Sequence, residues 1–377
     1  MKTCSRLRYF IYISIIFMGC STGKNALRKG DYDASLLKAV HRLQNAPQNS
    51  EAMEVLRSAY SLSLTTHQRK IEEAEGSANP LRWETILGEY EQLQSLSEEL
   101  ARCPSCLTLV PAPQRFTREV ENSRQRAAEA RYTLGLGFLN EGSKAGARKA
   151  YSYFERAQFY APADKQITQK LNEAYQAALL RVLVLPALVN SRSYELSNQY
   201  FQDQIAQWAA AYQQNKFVRF YMESEVNQSR VIPDQVVAMQ FDDFVVGQTY
   251  LKEKVEKLTK DSVKVGETRA DGPIYGKVTA TLHVFDKKVS SSGLLDLRIS
   301  DAHSGKVLRH KKLTGTYVWQ DQWANYKGDE RALSREQLAL SKRKETMPPP
   351  PAALFVELTK PLYSQLISEL HRMYDAY

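Results

Sequence analysis

The chain has 377 residues, of which 43% are hydrophobic and 25% charged, fractions that are typical of globular proteins and exclude a wholly disordered or fibrous chain. This length is enough for two or three domains. Setting aside Lys2, Arg6 and Arg8 of residues 1–19 lowers the formal charge from +9 to +6, with 48 basic against 42 acidic residues, a bias too mild to predict nucleic-acid binding.

The N-terminus has the composition of a secretory signal. The three basic residues precede an apolar run at 9–18, which is about half the length of roughly 20 residues that a membrane-spanning helix needs. A short apolar run between a basic segment and small residues is typical of a signal peptide. We therefore predict that residues 1–19 are a signal peptide.

Gly19 immediately before Cys20 resembles the lipobox of bacterial lipoproteins, although Phe17 and Met18 stand where leucine and a small residue are commoner. The resemblance implies that a diacylglycerol is added to Cys20 and that cleavage leaves this residue at the N-terminus. Acyl chains anchor a protein through their buried methylenes, so the lipid bilayer is an expected partner. Because Ser21 and no acidic run follows, the resemblance further implies the outer membrane and its periplasmic face. An ordinary signal peptide with a chance cysteine is the alternative.

Cys103 and Cys106 remain once Cys4 is lost with the signal and Cys20 is acylated. In an oxidising compartment a pair at this spacing can form a disulfide at a helix end, which is our prediction. Free or reactive thiols and a metal site are the alternatives. A thioredoxin-like site is disfavoured because Cys103 ends a helical run, and a zinc site lacks a second cysteine pair.

Residues 20–180 are predicted to form a domain of paired helices. The spacing A-x3-F-x2-A-x4-P occurs at Ala150, Phe154, Ala157 and Pro162, and W-x2-L-x3-Y is matched by Trp83, Ile86 and Tyr90. These residues resemble those of the tetratricopeptide repeat family. The resemblance implies an array of helical hairpins whose concave surface holds another protein.

The array is expected to be irregular. Pro47 and Pro162 each precede a leucine by nine residues and a tyrosine by thirteen, yet they stand 115 residues apart, which is not a multiple of the roughly 34-residue repeat. We therefore expect a helical insertion at about residues 63–130. The aromatic stretch at 151–160 is expected to pack inside the array, with an exposed peptide groove as the alternative.

From residue 181 the pattern changes to that of a mixed α/β domain, predicted over 181–340. A continuous apolar run at 181–186 predicts a buried strand, and a helix over 194–212 and a strand over 217–221 complete a β-α-β unit. Further strands are predicted at 236–239, 244–247, 277–285, 294–299 and 306–313. The segment 323–331 is predicted to be a loop.

The order of these elements resembles the α/β domain shared by the curli-secretion lipoprotein family, penicillin-binding-protein activator lipoproteins and the N-terminal domain of the Tol translocation protein. In those families the last hairpin has Asp at the end of one strand and Ser-Gly or Thr-Gly in the turn, as at Asp301, Ser304 and Gly305. The resemblance implies a place in secretion or cell-wall machinery, with other envelope proteins as partners.

The C-terminal part begins with a basic triplet at 342–344 and four prolines at 348–351. Residues 341–352 are predicted to be an extended proline-rich linker, with a docking strip as the alternative. Residues 353–377 are predicted to be a helix that packs on the α/β domain. The predicted fold class is therefore multidomain, an irregular helical-hairpin (tetratricopeptide-like) array followed by a mixed α/β domain.

The sequence contains no recognisable catalytic or metal-binding motif. Its six histidines include no HExxH or HxH spacing, no GxSxG occurs, and Gly135 and Gly137 lie in a helical region without a preceding strand. We therefore predict no enzymatic activity, no metal site and no cofactor.

Trp319, Trp323 and Tyr326 are the candidate contacts for a partner or a glycan, because aromatic rings among polar residues can stack on a sugar ring. A packed sheet edge is the alternative interpretation. The sequence as a whole predicts an outer-membrane-anchored lipoprotein that acts, without catalysis, as a protein-interaction scaffold or assembly factor in a cell-envelope complex. A peptidoglycan- or glycan-binding lipoprotein that uses these aromatics is the alternative.

Overall fold

The computed structural model describes residues 22–191, 194–268 and 272–377. The chain forms two compact units that meet in sequence at Ala178 and Leu179. The first unit is helical and the second is a five-stranded mixed sheet with helices, which confirms the predicted fold class. The predicted signal peptide and Cys20 lie outside the described residues.

Helices make up the described part of the first unit. They are α1 (Lys24–Arg28), α2 (Tyr32–Asn45), α3 (Ser50–Glu75), α4 (Arg82–Ala101), α5 (Pro104–Leu107), α6 (Thr117–Leu139), α7 (Lys144–Tyr160) and α8 (Lys165–Ala178). The residues immediately before α2, α3 and α7 are Asp31, Asn49 and Ser143. Each of their side chains accepts a hydrogen bond from the backbone N–H three residues further on and so caps the helix. Pro47 and Pro162 follow the ends of α2 and α7, since proline cannot donate the N–H that a helix needs.

Small residues let the helices of the first unit approach closely. Ala150 of α7 and Ala174 of α8 are fully buried around the ring of Phe154, and Ala157 is fully buried one turn further on. α7 contacts both α6 and α8, and α4 contacts both α3 and α6. Residues 63–130 are formed by helices that continue this succession, and their expected status as an insertion between repeats stays a prediction.

The second unit is built on one sheet with the strand order β2-β1-β3-β4-β5. Its elements are β1 (Leu180–Val184), α9 (Glu195–Ala211), β2 (Val218–Met222), α10 (Glu223–Ser229), β3 (Gln235–Thr268), β4 (Gly272–Asp301), β5 (Val307–Gly328), a 3-10 turn (Glu330–Ala332), α11 (Arg335–Ser341) and α12 (Pro351–Tyr374). β1 pairs in parallel with β2 and with β3, whereas β3, β4 and β5 are antiparallel. The predicted β-α-β unit is present as β1, α9 and β2.

Two helices, α9 and α12, cover one face of the sheet. Val182, Val237 and Leu297 point from three strands into this core and meet Phe201 of α9 and Leu366 of α12. All five side chains are fully buried, and each such burial stabilises the fold by about 1.5–3 kcal/mol. The largest apolar core of the second unit therefore lies between the sheet and these two helices.

The antiparallel strands continue far beyond that core. β3 has 34 residues, β4 has 30 and β5 has 22, and the pairing of β3 with β4 extends as far as Thr268 and Gly272. We call the distal part of the sheet, formed by residues 248–268, 272–290 and 317–328, the β-arm.

The β-arm corrects two expectations. The short strands predicted separately at 236–239 and 244–247 belong to the single strand β3, which continues through register shifts between Phe241 and Asp243 and between Val245 and Gln248. A β-bulge lets a strand bend without ending. The predicted loop at 323–331 was also wrong, because its first six residues pair with β4 as the last part of β5.

A second, smaller core lies on the opposite face of the β-arm. Leu282 of β4 is buried there with Ala324 and Leu333, and side chains of α11 pack beside them. Leu297, under α12, is an odd-numbered residue of the same strand, and β4 pairs with β5 without irregularity between 280 and 299. Because successive side chains of a strand point to opposite faces, α11 and α12 lie on opposite sides of the sheet.

Candidate interaction surface

A buried ion pair joins α4 to α6 in the first unit. Arg131 donates two hydrogen bonds to the carboxylate of Glu84, from Nε at 2.5 Å and from Nη2 at 2.9 Å. About a fifth of each side chain is exposed. Burial is the largest single influence and would raise the pKa of Glu84, but the hydrogen bonds and charge of Arg131, together with Tyr160 and Arg156, outweigh it and the pKa is lowered. The charge of Arg131 is therefore neutralised within the unit.

Further basic side chains lie over aromatic rings around this pair. The guanidinium of Arg126 is 4.4 Å from the centre of the Trp83 ring, and that of Arg131 is 5.1 Å from the Tyr153 ring. Tyr153 stacks on Phe138 with 5.2 Å between ring centres, and the amine of Lys149 is 5.2 Å from the Phe138 ring. Each contact of this type contributes about 0.5–1 kcal/mol at an exposed site.

The same surface extends along α7 to Phe159, whose side chain is 68% exposed. Arg156 lies 4.6 Å from the Phe159 ring and 4.8 Å from the Tyr160 ring, and its Nε donates a hydrogen bond to the Tyr160 hydroxyl. We call the whole set the cation–aromatic strip: Trp83, Arg126, Arg131, Phe138, Lys149, Tyr153, Arg156 and Phe159.

The strip has a defined chemistry. Within the described chain, Arg126, Lys149 and Arg156 form no ion pair with a carboxylate. The charge of Arg156 also helps to lower the pKa of Glu84, whereas those of Arg126 and Lys149 remain available to a ligand. The neighbouring aromatic rings offer apolar area at low cost in side-chain entropy. A surface of this composition suits a protein segment that carries both acidic and apolar side chains.

Sequence reasoning found this surface only in part. Of the aromatic stretch at 151–160, Phe154 and Tyr160 are buried as the packing interpretation predicted, whereas Phe159 is exposed. Trp83 was expected only as a packing residue of a repeat. The available signal was the spacing of Lys149, Tyr153 and Arg156 on one helix face, since residues three or four apart are neighbours on a helix.

The structure does not bring Trp319, Trp323 and Tyr326 together. Trp323 stacks on its cross-strand neighbour Phe285 with 5.4 Å between ring centres and 15° between ring planes. Tyr326 lies on the opposite face, in the small core beside Leu282. Trp319 shares a face with Trp323 but stands four residues, about 13 Å, away along the strand. One sugar ring cannot contact all three.

Cys103 and Cys106 form a disulfide, and both are fully buried. Cys103 is the residue before α5, where its sulfur accepts the backbone N–H of Cys106. Between them Ser105 donates a hydrogen bond to the carbonyl of Leu43. The bridge thus closes the turn between α4 and α5, the hydrogen bond from Ser105 joins this turn to α2, and the burial of the bridge keeps it away from the thiols of other proteins.

A cavity of about 280 Å³ lies at the carboxyl ends of β1 and β2. Its polar lining comes from Gln199, Gln202 and Asp203 of α9 and from Glu223 and Ser224 after β2. Ligands of α/β sheets bind at such strand ends, but this volume is below the roughly 300–1,000 Å³ of most ligand pockets. Among the described residues, no basic side chain lines the cavity, and it is a weaker candidate than the strip.

His67 is a buried polar residue that the sequence did not single out. Its two ring nitrogens contact the carboxylates of Asp33 and Glu89, and Asp33 also accepts a hydrogen bond from Ser63. Both nitrogens are occupied, so neither can face a metal ion. In the described residues no group of three or more histidine, cysteine, aspartate or glutamate side chains could hold one. None of the helices in those ranges is long and apolar enough to cross a membrane.

Comparison with protein families and with curated proteins finds no match to this chain. Among solved structures, it is similar to a Helicobacter pylori protein described as a neuraminyllactose-binding hemagglutinin homolog. The two share 10% identity, the likeness covers 52% of this chain and 85% of the other, and the TM-score is 0.25. At so low a TM-score the likeness carries no argument about fold or function.

Proposed function

We propose that the protein is a lipoprotein of the outer membrane, anchored on its periplasmic face through an acylated Cys20, that scaffolds a cell-envelope complex without catalysis. In this proposal the cation–aromatic strip binds a segment of a partner protein that carries acidic and apolar side chains. The observation that carries it is that Arg126, Lys149 and Arg156 are each held against an aromatic ring and form no ion pair within the described chain.

The mechanism is tethering. An acyl anchor confines the protein to one surface, and this raises its effective concentration toward partners at that membrane. The strip supplies specificity, because a partner segment must offer carboxylates at the spacing of the basic groups and apolar side chains between them. The lipobox resemblance of Gly19 and Cys20 supports the anchor.

The binding surface is tested with charge-matched variants. The full-length chain is immobilised and exposed to detergent-solubilised envelopes of the source bacterium as wild type, as Arg126→Ala/Arg156→Ala and as Arg57→Ala/Arg118→Ala. Arg57 and Arg118 are exposed and lie outside the strip, so the control removes the same charge. A stoichiometric partner recovered by the wild type and the control but lost by the strip variant supports the proposal. Equal recovery by all three excludes the strip.

The anchor is tested separately. Cys20→Ser is expected to move the protein from the membrane fraction to the soluble periplasmic fraction, because the thiol that carries the lipid is absent. An unchanged membrane fraction, or a mature chain whose intact mass shows no acyl group, excludes the lipoprotein assignment and leaves the binding surface to be judged on the first experiment.

A further inference from the structure

One side of β3 has no partner strand over most of its length. β1 pairs with β3 only at 235–237, and the last contacts on that side are backbone hydrogen bonds with Leu188 at Met239 and Phe241. Beyond Phe241, no other strand of the described chain pairs with this side. The outer backbone groups of residues 250–260 also receive no hydrogen bond from the described side chains. An open edge of this length is a template for another strand.

The other edge of the antiparallel strands, at β5, is contacted by later segments of the chain. Gln365 of α12 donates a hydrogen bond to the carbonyl of Thr314. Asp321 accepts hydrogen bonds from the Arg343 side chain and from the backbone N–H of Thr346, in the segment that follows α11. Later segments of the chain therefore contact the β5 edge at these two places, whereas no strand among the described residues pairs with the outer side of β3 beyond Phe241.

The open edge carries exposed apolar side chains among charged ones. Tyr250 is 54% exposed, Leu251 is 60% exposed and Val255 is 53% exposed. Lysines on an edge strand usually prevent pairing with other chains. Here lysine alternates with glutamate in the stretch Glu253-Lys254-Val255-Glu256-Lys257.

The charges of this stretch are complementary to those of a second copy that runs in the opposite direction. In an antiparallel pair of two copies centred on Val255, Glu253 faces Lys257 of the other strand and Lys254 faces Glu256. Symmetry repeats both contacts, so four opposite-charge pairs flank a central pair of valines. Directly opposed charges of opposite sign stabilise a pair of strands, and like charges destabilise it.

Neighbouring registers lack this complementarity. Because alternate residues of β3 direct their backbone groups toward β4, the neighbouring registers are shifted by two residues. One such shift sets Glu256 against Glu256 and Lys252 against Lys260, and the other sets Lys254 against Lys254. The sequence therefore specifies one register of self-pairing at the edge, in which side chains of the same face of the β-arm remain on one face of the joined sheet.

We propose that β3 is a self-association edge, at which two copies of this chain pair antiparallel about Val255 and join their β-arms into one continuous sheet. The occupant of the edge is a second copy because the edge sequence is its own charge complement. Pairing also buries the exposed Leu251 and Val255 side chains at the junction. The proposal is independent of the cation–aromatic strip, which lies in the other unit.

Charge-swapped variants of the full-length chain in detergent test the pairing. Variant A is Glu253→Lys/Glu256→Lys and variant B is Lys254→Glu/Lys257→Glu. Each variant alone faces itself with four like-charge pairs, whereas A against B has four opposite-charge pairs. Sedimentation equilibrium is expected to show dimers of the wild type. For either variant alone the dissociation constant of the dimer is expected to rise by at least about tenfold, and dimers are expected again when A and B are mixed.

The register is tested by disulfide trapping. Directly opposed residues of an antiparallel pair have Cβ atoms about 4.5–5.5 Å apart, so Val255→Cys is expected to give covalent dimers under oxidising conditions. In the matched variant Leu251→Cys the two cysteines stand eight residues apart along the strand, about 27 Å, and no trapping is expected.

Three results would each overturn the proposal. The first is a wild type that remains monomeric at concentrations up to about 100 μM, roughly 100 times the dissociation constant of a micromolar dimer. The second is a mixture of A and B that associates no better than either variant alone. The third is equal disulfide trapping of the two cysteine variants. Glu253, Lys254 and Lys257 are exposed, whereas Glu256 is half-buried and also contacts Lys254 and Gln337 of the same chain. Recovery of dimers in the A–B mixture therefore serves as the control that both variants have folded.

Discussion

The imidazole of His67, on α3, lies 3.0 Å from the carboxylate of Asp33, on α2. Its other ring nitrogen contacts Glu89 on α4, and His67 is only 3% exposed. One side chain therefore joins three successive helices through two acidic groups. The hydrogen bond to Asp33 is the largest cause that raises the pKa of His67, and the same hydrogen bond lowers the pKa of Asp33.

Stability of the first unit is expected to depend on pH through this contact. The raised pKa of His67 stabilises the fold fully below its ordinary value of 6.5, and this stabilisation is lost as pH rises through the raised value. The lowered pKa of Asp33 stabilises the fold above its ordinary value of 3.8, and this is lost as pH falls through the lowered value. The protection of α3 peptides against hydrogen exchange, taken relative to the intrinsic exchange rate at each pH, is expected to be greatest between those two ordinary values and smaller above and below.

The variant His67→Leu is expected to remove that pH dependence. It removes the hydrogen bonds from the imidazole to the carboxylates of Asp33 and Glu89 and leaves Lys70, 3.3 Å from Glu89, as the cation beside them, at a cost of about 2 kcal/mol in the free energy of unfolding. The control is His303→Ala, in the exposed turn after β4. For each variant, hydrogen exchange of α3 peptides across the pH range and urea unfolding measure the pH dependence and the loss of stability. A pH profile that His67→Leu leaves unchanged would contradict the assignment.

Two glycines of α6, two residues apart, are expected to respond to alanine in opposite ways. A Cβ at Gly135 would lie 2.7 Å from the fully buried ring of Phe154, whereas a Cβ at Gly137 meets no atom within 4 Å. Gly135→Ala must displace a packed ring and is expected to destabilise the first unit by about 1–3 kcal/mol. Gly137→Ala is expected to stabilise it by up to about 1 kcal/mol, because alanine has the higher helix propensity. Thermal unfolding of both variants measures the difference, and equal effects would contradict the packing.

The sequence predicted the elements whose buried faces repeat at a helical or strand period. The end of the predicted helix at 194–212 and the start of β1 agree with the structure to within one or two residues. The β-arm did not follow from the pattern, because from Lys252 to Lys260 charged residues occupy both faces and the alternation of apolar and polar residues is absent. Its outer strands are specified by their pairing with β4, whose partner residues lie up to 42 positions from those of β3 and up to 48 positions from those of β5.

The candidate sites also could be predicted only where the residues involved are close together in the sequence. The pair Cys103 and Cys106 could be read from its spacing, since the residues are three apart. The His67 contacts join residues 34 and 22 positions away, and no local motif records them. The separation of Trp323 from Tyr326 depends on both residues being in a strand, and this was missed because 323–331 was interpreted as a loop.

The disulfide is expected to contribute modestly to stability. It closes a loop of only four residues, so it removes little entropy from the unfolded chain, and Cys103→Ala/Cys106→Ala is expected to lower the free energy of unfolding by about 2 kcal/mol. Urea unfolding of the double variant measures this cost. The matching chemical test is a thiol count, which is expected to find neither cysteine free in the oxidised protein. A variant as stable as the wild type would contradict a structural role.

Asp321 is expected to hold the segment between α11 and α12 against the sheet. Its side chain is 4% exposed and accepts hydrogen bonds at 2.9 Å from Arg343 and at 2.7 Å from the backbone N–H of Thr346. The hydrogen bond from Thr346 is the largest cause that lowers the pKa of Asp321. Hydrogen bonds to a charged group contribute about 1.5–3 kcal/mol, so in Asp321→Ala trypsin is expected to cut at 342–344 roughly tenfold faster. The control is Asp286→Ala, half-buried on the neighbouring strand. An equal cutting rate in both variants would mean that the segment is held by its prolines and by α12, and that the carboxylate of Asp321 is not its anchor.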